Sequence, residues 1–209
     1  MKLRKGKNKA TLRKPHAASP INKAVETLKN GGVIIYPTET VYGLGADINN
    51  KEAVERIFEI KGREKTKSVS IACLKKDIEK YAEVNDLARF LIENFLPGPL
   101  TLVLRKKETV PEWITNSEYI GIRVPDNEFV QKLLKKFGHA ITSTSANISG
   151  KKDPISAKEL APRITRHAQL IVNEGETKYK GPSTVVQING KIRVLRKGVL
   201  DIWEQGRVC

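Results

Sequence analysis

The sequence predicts an α/β domain in which helices flank a twisted, mixed β-sheet. In the first part of the chain, apolar runs typical of strands alternate with segments whose apolar residues recur at helical spacing. Near the end, residues 184–188 and 192–196 flank Asn189-Gly190, a dipeptide typical of hairpin turns. The composition, 39% hydrophobic and 29% charged, is that of a globular protein, so neither a membrane-spanning nor a disordered chain is expected.

The length of 209 residues suits one domain, which we assign to residues 19–209. The net charge is +15, and seven of these charges lie in the first fourteen residues, which contain no acid. We therefore expect residues 1–18 to form a disordered basic arm. This arm could make a weak, salt-sensitive contact with RNA phosphates, or it could be a solvated segment without a specific partner.

Cysteine and histidine usage gives no sign of a metal site. Cys73 and Cys209 show neither metal-ligand spacing nor a disulfide framework, and the three histidines are scattered. The sequence therefore identifies no metal ligand among the side chains, and a zinc site is not expected. Because no secretory segment is present, we expect a cytoplasmic protein with no membrane partner.

The opening unit is predicted to be a helix followed by a buried strand. Ser19 suits a helix N-cap, and Gly31-Gly32 stops the helical pattern before the apolar strand at residues 33–36. A second helix is capped by Asn50 and ends at Gly62.

Between these helices lies a polar turn at residues 37–40. Thr38 and Thr40 could bind a ligand, or they could only form hydrogen bonds with the local backbone. Gly43 and Gly45 remove side chains where the chain must turn or where another group approaches it closely. The end of a buried strand thus carries a candidate site.

A pair of cations marks the end of the second helix. Because Gly62 ends the helix, an extended exit would turn Lys61 and Arg63 the same way, and Lys67 adds further charge nearby. Two convergent cations suit a phosphate chain or a carboxylate. Solvated surface side chains are the alternative interpretation.

The middle of the chain continues the alternation. A strand is predicted at residues 69–74, helical segments at 77–81 and 86–95, and a strand at 100–104 after the rigid turn Pro97-Gly98-Pro99.

An arginine interrupts the next apolar strand, at residues 119–124. If Arg123 is buried it needs a partner, since an unpaired buried charge is costly. That partner could be Glu39 or another structural acid, or it could be a substrate carboxylate, which a guanidinium binds in bidentate fashion.

A helix around residues 129–137 precedes the second informative stretch, at residues 142–147. Four successive hydroxyl residues, followed by Ala146 and Asn147, can present several donors to an anion or a polar ligand. A turn that satisfies only its own backbone is the alternative. Ser156 and Glu159 have the spacing of a capping box for a further helix, and residues 169–173 read as a strand.

Seven motifs, spread in order over about residues 20–200, resemble the YrdC-like family of threonylcarbamoyl-adenylate synthases. They are Tyr36-Pro-Thr-Glu-Thr-Val-Tyr-Gly-Leu-Gly45, Lys61-Gly-Arg63, Pro97-Gly-Pro-Leu-Thr101, Gly121-Ile-Arg-Val-Pro125, Thr144-Ser-Ala-Asn-Ile-Ser-Gly150, Gly181-Pro-Ser-Thr-Val-Val186 and Leu195-Arg-Lys-Gly198. The resemblance implies the single-domain form of the family, with a YrdC-like (dsRNA-binding-like) α/β fold around one large basic cavity.

The resemblance also implies an activity, in which L-threonine, bicarbonate and ATP with Mg²⁺ yield threonylcarbamoyl-AMP and pyrophosphate for modification of adenosine 37 in tRNA. Transfer to tRNA would be indirect, through downstream machinery. By similarity, the threonine pocket would contain Thr38, Thr40, Arg123, Ser143 and Ser183. ATP would be held by Lys61, Arg63, Lys67, Ser145, Asn147 and Arg196, of which Lys61, Arg63, Ser145 and Asn147 would be catalytic.

Two alternatives remain open at the level of sequence. A YciO-like paralogue would bind nucleotide or double-stranded RNA without making the adenylate. The departures from the family pattern at residues 64–72, and Asp153 where relatives often have serine, favour it. Retention of both cations of the Lys61 motif and of Asn147 favours the enzyme. A carbamoyl-transfer module of the hydrogenase-maturation type is disfavoured, since no acylphosphatase-like or zinc-finger segment flanks the domain.

Overall fold

A computed structural model describes residues 19–64 and 67–203, which form a nine-stranded sheet with helices on its faces. The prediction of a mixed α/β sheet is confirmed, because three strand pairs are parallel and five are antiparallel. The basic arm predicted for residues 1–18 lies outside the described residues.

The strands of the sheet have these bounds: β1 Ile34–Tyr36, β2 Gly43–Gly45, β3 Ser70–Ala72, β4 Leu100–Arg105, β5 Tyr119–Arg123, β6 Ile141–Ser145, β7 Leu170–Ile171, β8 Thr184–Ile188 and β9 Ile192–Arg196. Their order across the sheet is β7-β1-β2-β6-β3-β5-β4-β8-β9. Strands that are far apart in the sequence, such as β1 and β7, are therefore neighbours in the sheet.

The helices begin and end largely at the predicted residues. Ser19, Asn50 and Asn127 each accept a hydrogen bond from a backbone N–H of the first turn, and Gly62 ends its helix with φ +58°. The bounds within the described residues are α1 Pro20–Lys29, α2 Lys51–Lys61, α3 Ile78–Tyr81, α4 Asp86–Phe95, α5 Glu128–Phe137 and α6 Pro162–Thr165.

Helices cover both faces of β1, which explains its unbroken apolar run. Ile34 and Tyr36 pack with α1 and α5, whereas Ile35 packs with α2 and α6 on the opposite face. A third group of buried side chains lies beneath α4. Among the described residues, no helix has the length and apolar character needed to span a membrane.

The close approach predicted at Gly43 and Gly45 is made by the ring of Tyr36. Both glycines lie in β2, and a Cβ on Gly45 would stand 2.8 Å from Cε1 of Tyr36. The glycines therefore admit an aromatic side chain from the neighbouring strand rather than a tight turn.

The structure excludes one alternative and corrects one prediction. The hydroxyl run forms strand β6, so the alternative of a turn does not hold, because Thr142 and Thr144 pair with the flanking strands. Ser156 makes no capping bond, and only a 3₁₀ turn at Ala157–Glu159 follows it. The helix begins instead at Pro162, since proline suits the first helical position and disfavours helical backbone before it.

Candidate functional site

A cavity of about 220 Å³ opens where β2, β3, β4, β5, β6 and β8 lie side by side. Each of these strands contributes a lining residue, and the other lining residues come from the loops after β1, α2, β6 and β7 and from the end of β9. Three arginines and one carboxylate line it, together with a set of hydroxyl side chains. The hydroxyl residues are Ser68, Ser70, Thr101, Ser143, Thr144, Ser145 and Ser183.

The arginines of the cavity are held in place by the protein's own acceptors. Arg63 donates through Nη2 to the carbonyl of Ser68 at 2.7 Å, and burial lowers its pKa. Arg196 donates through Nη2 and Nε to the carbonyl of Ser183 at 2.9 and 3.2 Å. Carbonyl acceptors fix a guanidinium without an ion pair, so neither side chain spends its hydrogen bonds on a carboxylate.

Arg123 is different, because its partner is a buried carboxylate. Its Nη2 donates to Oε1 of Glu39 and, at 2.9 Å, to Oγ1 of Thr40. Burial raises the pKa of Glu39, and the charge of Arg123 opposes that shift. Of the alternatives left open by the sequence, the structural acid Glu39 is therefore a partner of Arg123, although the arginine also lines the cavity.

The turn after β1 lies directly behind Arg123. Thr38 Oγ1 donates to the carbonyl of Val41 at 2.7 Å and accepts from the backbone N–H of Thr40 and of Val41. Thr38 thus stabilises its own turn, and Thr40 Oγ1, 2.9 Å from the Thr38 hydroxyl, supports Arg123.

Lys61 is buried, with its ammonium enclosed by carbonyl oxygens. Nζ donates to the carbonyl of Ser145, to the carbonyl of Asn147 at 3.0 Å and to Oδ1 of Asn147 at 2.8 Å. Burial and the charge of Arg63 lower the pKa of Lys61 to about 8, while Asp153 opposes that shift. Three acceptors match the three donors of an ammonium, so Lys61 fastens the end of α2 to the end of β6.

Asn147 connects Lys61 to the cavity wall. Its Oδ1 also accepts from the Ser145 hydroxyl at 2.7 Å, and its Nδ2 donates to the carbonyl of Lys151 and to Oδ1 of Asp153 at 2.9 Å. Because the two ends of the amide face unlike partners, its orientation is fixed. Ser145 and Asp153 are thereby placed at the cavity surface.

The structure brings together most of the side chains that the sequence nominated. Those that line the cavity are Arg63, Arg123, Ser143, Ser145, Ser183 and Arg196. A second set, one or two hydrogen bonds behind the wall, comprises Thr38, Thr40, Lys61 and Asn147. Lys67 is exposed and is not among the lining residues.

Sequence reasoning did not nominate four polar lining residues that lie outside the hydroxyl run of β6. Thr101, whose Oγ1 lies 2.7 Å from the Ser183 hydroxyl, and Ser70 both interrupt apolar strands, and that interruption was a usable signal. Ser68 and Asp153 lie in loops, where polar residues carry no such signal.

Comparison with known proteins gives a consistent set of similarities. The family model named for Sua5, YciO and YrdC, described as telomere recombination, matches residues 26–198. A Methanocaldococcus jannaschii protein with a provisional name as a threonylcarbamoyl-AMP synthase is 41% identical over 191 residues, which are 88% of this chain and 90% of that protein.

Two solved structures are similar over most of this chain. Pyrococcus abyssi Sua5 complexed with L-threonine has 38% identity and a TM-score of 0.85, covering 90% of this chain. The chain spans only 56% of that relative's length. Escherichia coli YciO has 33% identity and a TM-score of 0.80, covering 88% of this chain and 91% of YciO.

Proposed function

Because the chain belongs to the Sua5, YciO and YrdC family, we propose that it is a threonylcarbamoyl-AMP synthase. The proposed reaction joins L-threonine, bicarbonate and ATP, and releases pyrophosphate, which makes the protein a nucleotidyltransferase. The observation that carries the proposal is the cavity, where three arginines converge with a set of hydroxyl groups. Relatives named as threonylcarbamoyl-AMP synthases, and the threonine-bound structure of P. abyssi Sua5, support it.

We assign the phosphates of ATP to Arg63 and Arg196. Both guanidinium groups are held by carbonyl oxygens and not by a hydrogen-bonded carboxylate, and planar guanidinium groups bind phosphate oxygens in bidentate fashion. The Ser145 hydroxyl lies at the cavity surface, on the segment that Lys61 and Asn147 hold. Lys61 and Asn147 thus act by holding the ATP-binding wall, and the lysine adds positive charge behind it.

We assign L-threonine to the part of the cavity wall around Arg123, which would bind the amino acid's carboxylate. Ser143 and the Thr101–Ser183 hydroxyl pair lie among the lining residues and offer donors and acceptors to the amine and hydroxyl of the substrate. Thr40 supports Arg123 from behind, and Thr38 fixes the turn.

The chemistry then needs positioning and charge stabilisation more than a strong base. The threonine amine attacks the carbon of bicarbonate, water leaves, and a carbamate forms. A carbamate oxygen then attacks the α-phosphorus of ATP as the bond to the β-phosphate breaks and pyrophosphate departs. Arg63 and Arg196 would stabilise the charge that develops on the phosphates, and Arg123 would hold the nucleophile in place.

We propose Mg²⁺, bound with ATP, as the cofactor. No cluster of three or more His, Cys, Asp or Glu side chains within residues 19–64 and 67–203 could hold a metal ion by itself. Mg²⁺ typically combines substrate phosphates with one or two carboxylates, and one carboxylate lines this cavity, so the residues present fit a phosphate-bound ion. When bound, Mg²⁺ would neutralise phosphate charge.

The test is pyrophosphate release from ATP by the purified protein, with and without L-threonine and bicarbonate. Release should require both, and mass spectrometry should detect threonylcarbamoyl-AMP. Arg63→Met should weaken ATP binding by about tenfold or more, since a hydrogen bond to a charged group contributes ~1.5–3 kcal/mol. Arg105→Met is the matched control, because Arg105 is exposed and is not among the lining residues.

The second candidate is a YciO-like protein that binds nucleotide or double-stranded RNA and makes no adenylate. A specific observation favours it, since E. coli YciO is similar at 34% identity over 87% of this chain. ATP binding without threonine-dependent release of pyrophosphate would select this candidate. For the synthase, we propose a cytoplasmic location, delivery of its product to tRNA through downstream machinery, and at most weak RNA contact by the basic arm.

A further inference from the structure

Asp153 is the only carboxylate among the described residues that line the cavity. It lies in the loop after β6 and is half-buried, while Arg63, Arg123 and Arg196 supply the positive charge of the same wall. A negative charge at this place repels the phosphates that the arginines attract. Its presence in a phosphate site therefore requires a physical reason.

Support of Asn147 does not supply that reason. The Nδ2 group of Asn147 has two hydrogens, one donated to the carbonyl of Lys151 and the other to Oδ1 of Asp153 at 2.9 Å. A neutral acceptor such as a serine hydroxyl or an asparagine carbonyl would serve the second hydrogen equally well. The full charge of a carboxylate is not needed for this contact.

Asp153 lies among the cations of the cavity, and only part of its hydrogen-bonding capacity is used by the protein. Partial burial lowers the pKa of Arg196 and burial lowers that of Lys61, and in both cases Asp153 opposes the shift by attraction. Asp153 is thus close to these two cations. Among the described residues only its Oδ1 has a hydrogen-bond partner, so Oδ2 is available to a ligand in the cavity that Asp153 lines.

We propose that Asp153 is the protein's ligand for the divalent cation carried by the phosphates of the bound nucleotide. Mg²⁺ is usually held by one or two carboxylates together with substrate phosphates and water, and one carboxylate beside a phosphate site provides that arrangement. The inference rests on the proposed function, since it assumes that ATP binds in this cavity. As a cation ligand, Asp153 would also make the cavity selective for ATP that carries a divalent cation, because its carboxylate repels free ATP and attracts the bound cation.

The test compares binding of a non-hydrolysable ATP analogue, by calorimetry, in EDTA and in saturating Mg²⁺. The variant is Asp153→Asn, which keeps an acceptor for Asn147 and removes the charge. The control is Glu79→Gln, which removes an exposed carboxylate on α3. Wild type and control should bind the analogue more tightly with Mg²⁺. In Asp153→Asn, the increase in affinity that Mg²⁺ causes should be smaller by about tenfold or more, because loss of a group that supports a metal typically costs ~10–100-fold in metal affinity. The affinity measured in EDTA should increase, because the variant no longer repels the phosphates.

A second readout follows the metal itself. With Mn²⁺ in place of Mg²⁺, water-proton relaxation should report additional water on the ion in the Asp153→Asn complex, because water replaces the carboxylate. An unchanged Mg²⁺ gain together with unchanged hydration of Mn²⁺ would overturn the role of Asp153 and leave the proposed function intact. Failure of the wild type to bind the analogue under either condition would overturn both.

Discussion

Replacement of Lys61 by methionine tests whether the buried ammonium holds the wall of the cavity. Methionine keeps the length of the apolar stem and removes only the donors. The carbonyls of Ser145 and Asn147 and the Asn147 side-chain oxygen then lose their common partner. A stability defect is expected even without a ligand, because these buried or half-buried acceptors lose a charged donor.

The expected loss is about 3 kcal/mol in the free energy of unfolding. Hydrogen bonds to a charged group contribute ~1.5–3 kcal/mol each, so the three bonds of Lys61 set an upper limit on the loss in the free energy of unfolding. The cost of burying the ammonium offsets a large part of that sum, as the lowered pKa of Lys61 indicates. For a chain of this size, ~3 kcal/mol corresponds to a fall in Tm of about 6–12 °C.

Urea unfolding, followed by circular dichroism, measures this loss as a lower midpoint at unchanged m-value. Lys51→Met is the control, since Lys51 is exposed at the other end of the same helix. A midpoint for Lys61→Met equal to that of Lys51→Met would refute the assigned role. A loss of ATP binding with full stability would instead show that the ammonium faces the nucleotide.

Three further predictions follow from local geometry. Because the pKa of Lys61 is lowered to about 8 from an ordinary 10.5, the unfolded chain binds more protons at this group between these pH values. Stability relative to Lys61→Met should therefore rise with pH in this window, in urea titrations, while affinity for ATP falls as the cation is lost. Gly45→Ala should lower the free energy of unfolding by ~1–3 kcal/mol, because the new Cβ meets the ring of Tyr36 at 2.8 Å; an unchanged midpoint would contradict that packing. In a Cys209→Ser background, Cys73 should react with a thiol reagent at pH 8 only as fast as the protein opens, since burial raises its pKa to about 12, and rapid labelling of folded protein would exclude this burial.

The fold was predictable where local rules agree with tertiary packing. Asn50 and Gly62 bound α2 as capping chemistry predicts, and the hairpin forms around Asn189-Gly190, with Gly190 at φ +68°. The order of the strands was not predictable, because β1 pairs with β7 more than 130 residues away and nothing local encodes that contact. Likewise, the capping box predicted at Ser156 does not start the helix. The helix starts at Pro162, because the proline ring fixes the backbone angle that suits the first helical position.

The sequence was sufficient to predict which residue types form the site, but not the role of each residue. The sequence indicates that Arg123 needs a partner, but only the fold brings Glu39 to its Nη2. Lys61 and Arg63 look equivalent in the sequence. In the structure one fastens two elements together and the other lines the cavity, because Lys61 ends α2 on its buried side while Arg63 follows the left-handed Gly62.

The way these charges are compensated also bears on where each substrate binds. Carbonyl oxygens hold Lys61, Arg63 and Arg196, and the one carboxylate among the described lining residues, Asp153, attracts Lys61 and Arg196. Arg123, in contrast, is bonded to the buried carboxylate of Glu39, so its surroundings are closer to neutral. A triphosphate needs an excess of cations, whereas a zwitterionic amino acid needs one directed guanidinium and little net field. Three cations share Asp153, whereas Arg123 has Glu39 to itself, and this difference supports the assignment of ATP to Arg63 and Arg196 and of threonine to Arg123, because exchanging the two would place the triphosphate beside Glu39.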